Sequence, residues 1–116
     1  MMHAFAATAT ALTIVFHPGA GDPAKHWTLR CSPAGGTLPH AVAACAKLAR
    51  MRNPFAPTPR DMMCADIVYG PETADVTGVL RGHPVVVYLT RHDSCEEARF
   101  MRVRFLFPLT PAVGGG

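Results

Sequence analysis

Five stretches of the chain alternate or cluster apolar residues in the manner of β-strands, and one stretch repeats them at helix spacing. Leu12 to Phe16 is a short β-rich run, closed by turn chemistry from His17, Pro18 and Gly19 through Pro23. His26 to Cys31 is a second run, with Trp27 and Leu29 on one face by the two-residue period. The two predict an antiparallel hairpin. After the breaker SPAGGTLP, Pro39 opens a stretch in which Ala41, Ala44, Cys45, Leu48 and Met51 recur at helix spacing, while Lys47, Arg50 and Arg52 fall elsewhere. This predicts an amphipathic helix of about three turns.

Asn53 and Pro54 end that helix, and the Pro-rich NPFAPTPRD follows. Thr73 to Leu80 then alternates as a strand, Arg81 and Gly82 make a turn, and Pro84 to Thr90 is a strand with three consecutive valines. Asp93, Ser94 and Cys95 read as a helix start, with Glu96 and Glu97 well placed against the helix dipole. Arg102 to Phe107 reads as a last strand burying Val103, Phe105 and Phe107, with Arg99, Arg102 and Arg104 on the wet side. The sum is an α+β domain: a five-stranded antiparallel sheet with one main and one short helix.

At 116 residues and 49% hydrophobic, the chain has the size of one compact domain that closes a core without a metal. We expect a flexible arm at 1–11, a domain at 12–107 and a tail at 108–116. The arm carries A-x-A spacing but no basic start of a secretion signal, so localisation is not read from a leader. The net charge of +3 is spread without runs of like charge, which argues against nucleic-acid or membrane binding. No apolar stretch approaches the roughly 20 residues of a membrane span.

Met63 to Pro71, MCADIVYGP, runs from a cysteine to a proline with small or β-branched side chains and no strong helix former from Asp66 to Gly70. It predicts an extended loop tied at both ends, a shape that proteases bind. The cysteines, Cys31, Cys45, Cys64 and Cys95, contain no C-x-x-C pair for a zinc ribbon or redox site. Two disulfides and an oxidising compartment are expected, with three pairings open. Pairing of nearest neighbours would clamp the helix to its feeding strand and the loop to the second helix. The six histidines are scattered with no i, i+4 pair and read as surface or turn residues. No metal or other cofactor is expected, and no nucleophile with an identifiable base points to an enzyme.

The stretch from Cys31 carries C-x-P at Cys31 and Pro33, Gly36 and Pro39 of a G-x-H-P motif with Leu38 in place of its histidine, and A-C-x-x-L at Ala44, Cys45 and Leu48. Further on come Met63-Cys64, Val68-Tyr69 with Pro71, Thr77-Gly78 with Gly82, Pro84 and Val85, Cys95-Glu96, and Phe105 with Phe107. In this order and spacing the chain resembles the subtilisin inhibitor-like family of secreted actinobacterial proteins over about residues 11–107. The resemblance implies a secreted, usually homodimeric inhibitor of subtilisin-like or other extracellular serine proteases. It also implies nearest-neighbour disulfides, Cys31 with Cys45 and Cys64 with Cys95, and a five-stranded sheet packed on two helices. The protease-contacting loop becomes Met63, Cys64, Ala65, Asp66, Ile67, Val68 and Tyr69.

Counting from Cys64 makes Asp66–Ile67 the reactive bond; counting from Val68 and Tyr69 makes it Ile67–Val68. The disulfide is the geometric anchor, which favours the first. Neither position is Lys or Arg, so weak inhibition of trypsin-like enzymes is expected. The alternative function is a non-inhibitory secreted binding module on the same scaffold, a partner or substrate of another extracellular enzyme such as a transglutaminase.

Overall fold

The computed structural model describes residues 9–108. Four strands, β1 (Thr10–His17), β2 (Lys25–Cys31), β3 (Thr73–Leu80) and β4 (His83–Leu89), form one sheet in the order β2-β1-β3-β4. Each neighbouring pair is antiparallel. Helix α1 (Ala41–Ala49) connects β2 towards the loop region, and α2 (Ser94–Arg102) follows β4, continuing into a single 3₁₀ turn at Arg104–Leu106.

The two-residue period divides the sheet cleanly. Leu12, Ile14 and Phe16 of β1, Leu29 of β2, Ala74 and Val76 of β3, and Val85 and Leu89 of β4 are buried in one core with Ala44 and Leu48 of α1 and Phe100 of α2. The opposite face stays open: Thr28, Thr13, Thr77 and Val86 lie in register across it and all are exposed. Leu38, at the position of the motif's histidine, is 3% exposed and belongs to this core.

Both helix ends near the loop are served by side chains. Asp93 accepts a 2.8 Å bond from the Glu96 N–H at the start of α2, with Glu96 and Glu97 in the first turn and Arg99 and Arg102 in the last. These signs suit the dipole at each end. Arg81, in the β3–β4 turn, donates to the carbonyls of Leu48, Met51 and Arg52 at 3.0, 2.9 and 3.2 Å, serving acceptors in the last turn of α1 and just past its end.

The expected fifth strand is not formed. Arg102 ends α2, and Arg104–Leu106 is 3₁₀, closed by N–H bonds from Leu106 to Val103 and from Phe107 to Arg104. The reason is visible in the burial: Phe100, Val103 and Phe107 are buried, an i, i+3, i+7 set that lies on one side of a helix, whereas Phe105 is only half-buried. Phe107 stacks on Phe16 at 5.6 Å and meets Phe100 at 5.1 Å between ring centroids. Arg99, Arg102 and Arg104 are therefore helical and turn residues instead of the wet face of a strand. Nor is one helix main and one short, since α1 and α2 have nine residues each. Thr10 and Ala11 belong to β1, so the expected arm loses its last two residues to the sheet; positions 1–8 and most of the expected tail, 109–116, lie outside the described residues.

Candidate functional site

Between α1 and β3 the chain runs from Met51 to Glu72 without helix or strand. Its first half is tied down by burial and by α2. Pro54 and Phe55 are buried. Arg99 donates from Nε to the Ala56 carbonyl at 3.0 Å and from a second nitrogen to that of Phe55 at 3.4 Å, while pairing with Glu96 at 3.2 Å. Loop carbonyls that no ladder serves thus find donors on the helix.

The second half, Met63 to Glu72, is fastened at five places. Cys64 is joined to Cys95 in α2, with 5.4 Å between Cα atoms, and the other bridge joins Cys31 to Cys45, so nearest neighbours pair. Ala65 and Ser94 exchange two bonds: the Ala65 N–H donates to Ser94 Oγ at 2.8 Å, and the Ser94 N–H donates to the Ala65 carbonyl at 3.0 Å. The Tyr69 N–H donates to the Arg91 carbonyl at 2.8 Å. The Arg91 guanidinium holds both Glu97 oxygens, at 2.7 and 2.8 Å, and reaches Glu72 at 3.0 Å. Finally Pro71 lies against Gly19 in the β1–β2 turn, where φ is +92° and an added Cβ would stand 2.8 Å from Pro71 Cβ. Only glycine fits there.

Arg91 is the junction of this frame. Its charge-assisted fork links the end of the loop to α2, and its guanidinium stands 5.5 Å from the Phe100 ring centroid over the core. The bonds to Glu97 raise its pKa further above an already high value, against the lowering effect of burial. It is a permanent cation, and both of its partners are largely shielded from solvent.

Every residue from Met63 to Tyr69 is exposed, with Met63 at 91%, Ile67 at 51% and Val68 at 67%. The segment forms neither helix nor strand and contains one tight turn, in which the Ile67 N–H donates to the Ala65 carbonyl at 2.9 Å, placing Asp66 at its centre. Backbone bonding alternates: the N–H groups of Ala65 and Tyr69 are held by Ser94 and by the Arg91 carbonyl and that of Ile67 by Ala65, whereas those of Asp66 and Val68 have no partner among the described residues. The Asp66 and Val68 N–H groups, on either side of Ile67, are thus left available on an exposed segment. Asp66 has neither ion pair nor hydrogen-bonding side-chain partner among the described residues. Asp93 and the sulfurs of Cys64 and Cys95 come within 4.8 Å of one another, but sulfurs joined in a disulfide supply no thiolate to a metal.

The structure thus brings the loop residues and the Cys64–Cys95 bridge together as the sequence suggested, and adds Ser94, Arg91, Glu72 and Gly19. Asp93 and Glu97 were legible as helix-start residues, but nothing local marks Arg91, whose partner Glu72 is 19 residues away.

A profile of the subtilisin inhibitor-like family matches residues 6–92. Subtilisin inhibitor-like protein 4 of Streptomyces lavendulae is 37% identical over 97 residues, covering 79% of this chain and 83% of that protein. Among solved structures, Streptomyces caespitosus sermetstatin, in complex with Bacillus licheniformis subtilisin, is similar in fold with a TM-score of 0.55 at 24% identity, covering 87% of this chain and 99% of that one. The spaced cysteine, proline and glycine motifs, the antiparallel sheet on two helices, the paired disulfides and the family match agree: the chain belongs to the subtilisin inhibitor-like family.

Proposed function

We propose that this protein is a serine protease inhibitor that presents residues 63–71 to the protease cleft as a tightly held, slowly cut substrate. The observation that carries this reading is the alternation along the loop. The N–H groups of Ala65 and Tyr69 are bonded to the body of the domain and that of Ile67 back to Ala65, leaving those of Asp66 and Val68 without a partner among the described residues on an exposed edge. Such an edge pairs with an enzyme's backbone as an added strand. The reactive bond is Asp66–Ile67, because Asp66 combines a free N–H with a solvent-facing side chain; in the other register the Ile67 N–H would already be engaged by Ala65.

Inhibition follows from the tethers. The disulfide and the Ser94 pair hold the chain before the bond, and the Tyr69–Arg91 and Glu72–Arg91 contacts hold it after. Little conformational freedom remains to be lost on binding. If the bond is cut, the new ends stay side by side and rejoining competes with release. Interfaces of this kind bury about 1,600 Å² in total. The inhibitor supplies no catalytic group to the enzyme.

Two disulfides support an oxidising, extracellular location. A homodimer formed through the open sheet face, where Val86 and Tyr88 are 84% and 55% exposed, belongs to the same proposal.

Titration of the oxidised protein against subtilisin and against chymotrypsin-like, trypsin-like and acidic-specific endopeptidases, with mass spectrometry of nicked chains, tests it. Stoichiometric inhibition of at least one enzyme with a single slow cut at Asp66–Ile67 is expected. Rapid digestion by some and indifference from the rest would instead favour a binding module for another extracellular partner.

A further inference from the structure

We propose, resting on the inhibitor reading above, that Asp66 sets the specificity of this protein and that its target is a serine endopeptidase with a cationic primary pocket, one that cleaves after acidic residues. Asp66 sits at the centre of the Ala65–Ile67 turn, at the exposed crest between the two sets of tethers. Its carboxylate has no ion-pair partner among the described residues. The cation that anchors the frame, Arg91, is held by Glu72 and Glu97.

Its neighbours along the chain carry no compensating charge either. Ala65, Ile67, Val68 and Tyr69 bring no basic group to the crest. A carboxylate inserted into an apolar pocket loses its water and gains no partner, and an acidic pocket repels it as well. An Arg, Lys or protonated His at the base of the pocket reverses that balance, because the buried pair is then hydrogen-bonded and complementary. The rest of the loop suits a general endopeptidase cleft: Ile67 and Val68, just after the bond, offer apolar side chains, so discrimination falls on Asp66 alone. Specificity arises here as much from what the carboxylate refuses as from what it binds.

Wild-type protein, Asp66→Leu and Asp66→Asn, each with both disulfides verified by mass, are titrated against a Glu/Asp-specific serine endopeptidase and against subtilisin. Wild type is expected to inhibit the acidic-specific enzyme at least ~30-fold more tightly than subtilisin, with the cut after Asp66. Asp66→Asn is expected to lose at least ~30-fold on the acidic-specific enzyme, and Asp66→Leu to reverse the preference. If Asp66→Leu inhibits subtilisin while wild type does not inhibit the acidic-specific enzyme, the inhibitor scaffold stands and this specificity is overturned. A cut after Ile67, or a preference unmoved by either substitution, also overturns it. Failure of all three proteins against both enzymes overturns the inhibitor reading and this inference together.

Discussion

Ile14 and Met63 are both large apolar residues, yet the first is 0% exposed and the second 91%. Ile14 belongs to a sheet whose geometry is held by what its alternate residues bury, against two helices and the Phe16–Phe100–Phe107 cluster. Met63 begins a loop with nothing to bury. Fixing each residue of such a segment costs about 1–2 kcal/mol in backbone entropy. Here that cost is offset by a disulfide, a reciprocal backbone and hydroxyl pair, and an arginine fork. The two regions are therefore stabilised by different forces, and one can be weakened without the other.

The largest expected effect lies in the buried region. Phe107→Ala removes a ring that is 2% exposed and should cost about 3–5 kcal/mol, read from denaturant unfolding. The folded fraction should keep the same loop behaviour, including the position of any cut. Next come the disulfides, each worth about 3–4 kcal/mol on the chain-entropy account. Replacing Cys64 and Cys95 by Ser should turn the inhibitor into an ordinary substrate at a temperature where the domain remains folded. Replacing Cys31 and Cys45 should lower stability by a similar amount and leave the loop slow to be cut. Equal digestion of the two variants would show that the loop shares its stability with the rest of the domain.

The smallest of the three effects sharpens the comparison most. Arg91→Met keeps much of the side chain's apolar contact but breaks the fork to Glu97 and the bond to Glu72. We expect a loss of about 1–3 kcal/mol in stability. The more telling readout is hydrolysis of the loop by a target protease, which should accelerate at least several-fold. An unchanged hydrolysis rate would leave the disulfide and Ser94 as the sufficient tethers.

Much of this was legible in the chain. The β1 and β2 alternation, the helix spacing of Ala41, Ala44 and Leu48, the Asp93 cap and the turn at Arg81-Gly82 are local signals, and the structure carries each of them. The misreading at Arg102–Phe107 has a local cause too. Val103, Phe105 and Phe107 satisfy a two-residue period, while Phe100, Val103 and Phe107 satisfy a helical one, and a short run cannot choose between them. The choice was made by the ring cluster with Phe16, a residue more than eighty positions earlier.

Sequence by itself determined the family, the cysteine set, the exposed loop and the acidic residue within it, because these depend on residue identity and spacing. The tertiary structure alone decided how that loop is held. Arg91 has meaning only when Glu72 and Glu97 are brought to its two sides, and Gly19 only when Pro71 is laid against it. The anchoring of the Ala65 and Tyr69 N–H groups likewise required Ser94 and the Arg91 carbonyl to be placed beside the loop. Such contacts join segments distant in the chain, and their partners follow from the closure of the core.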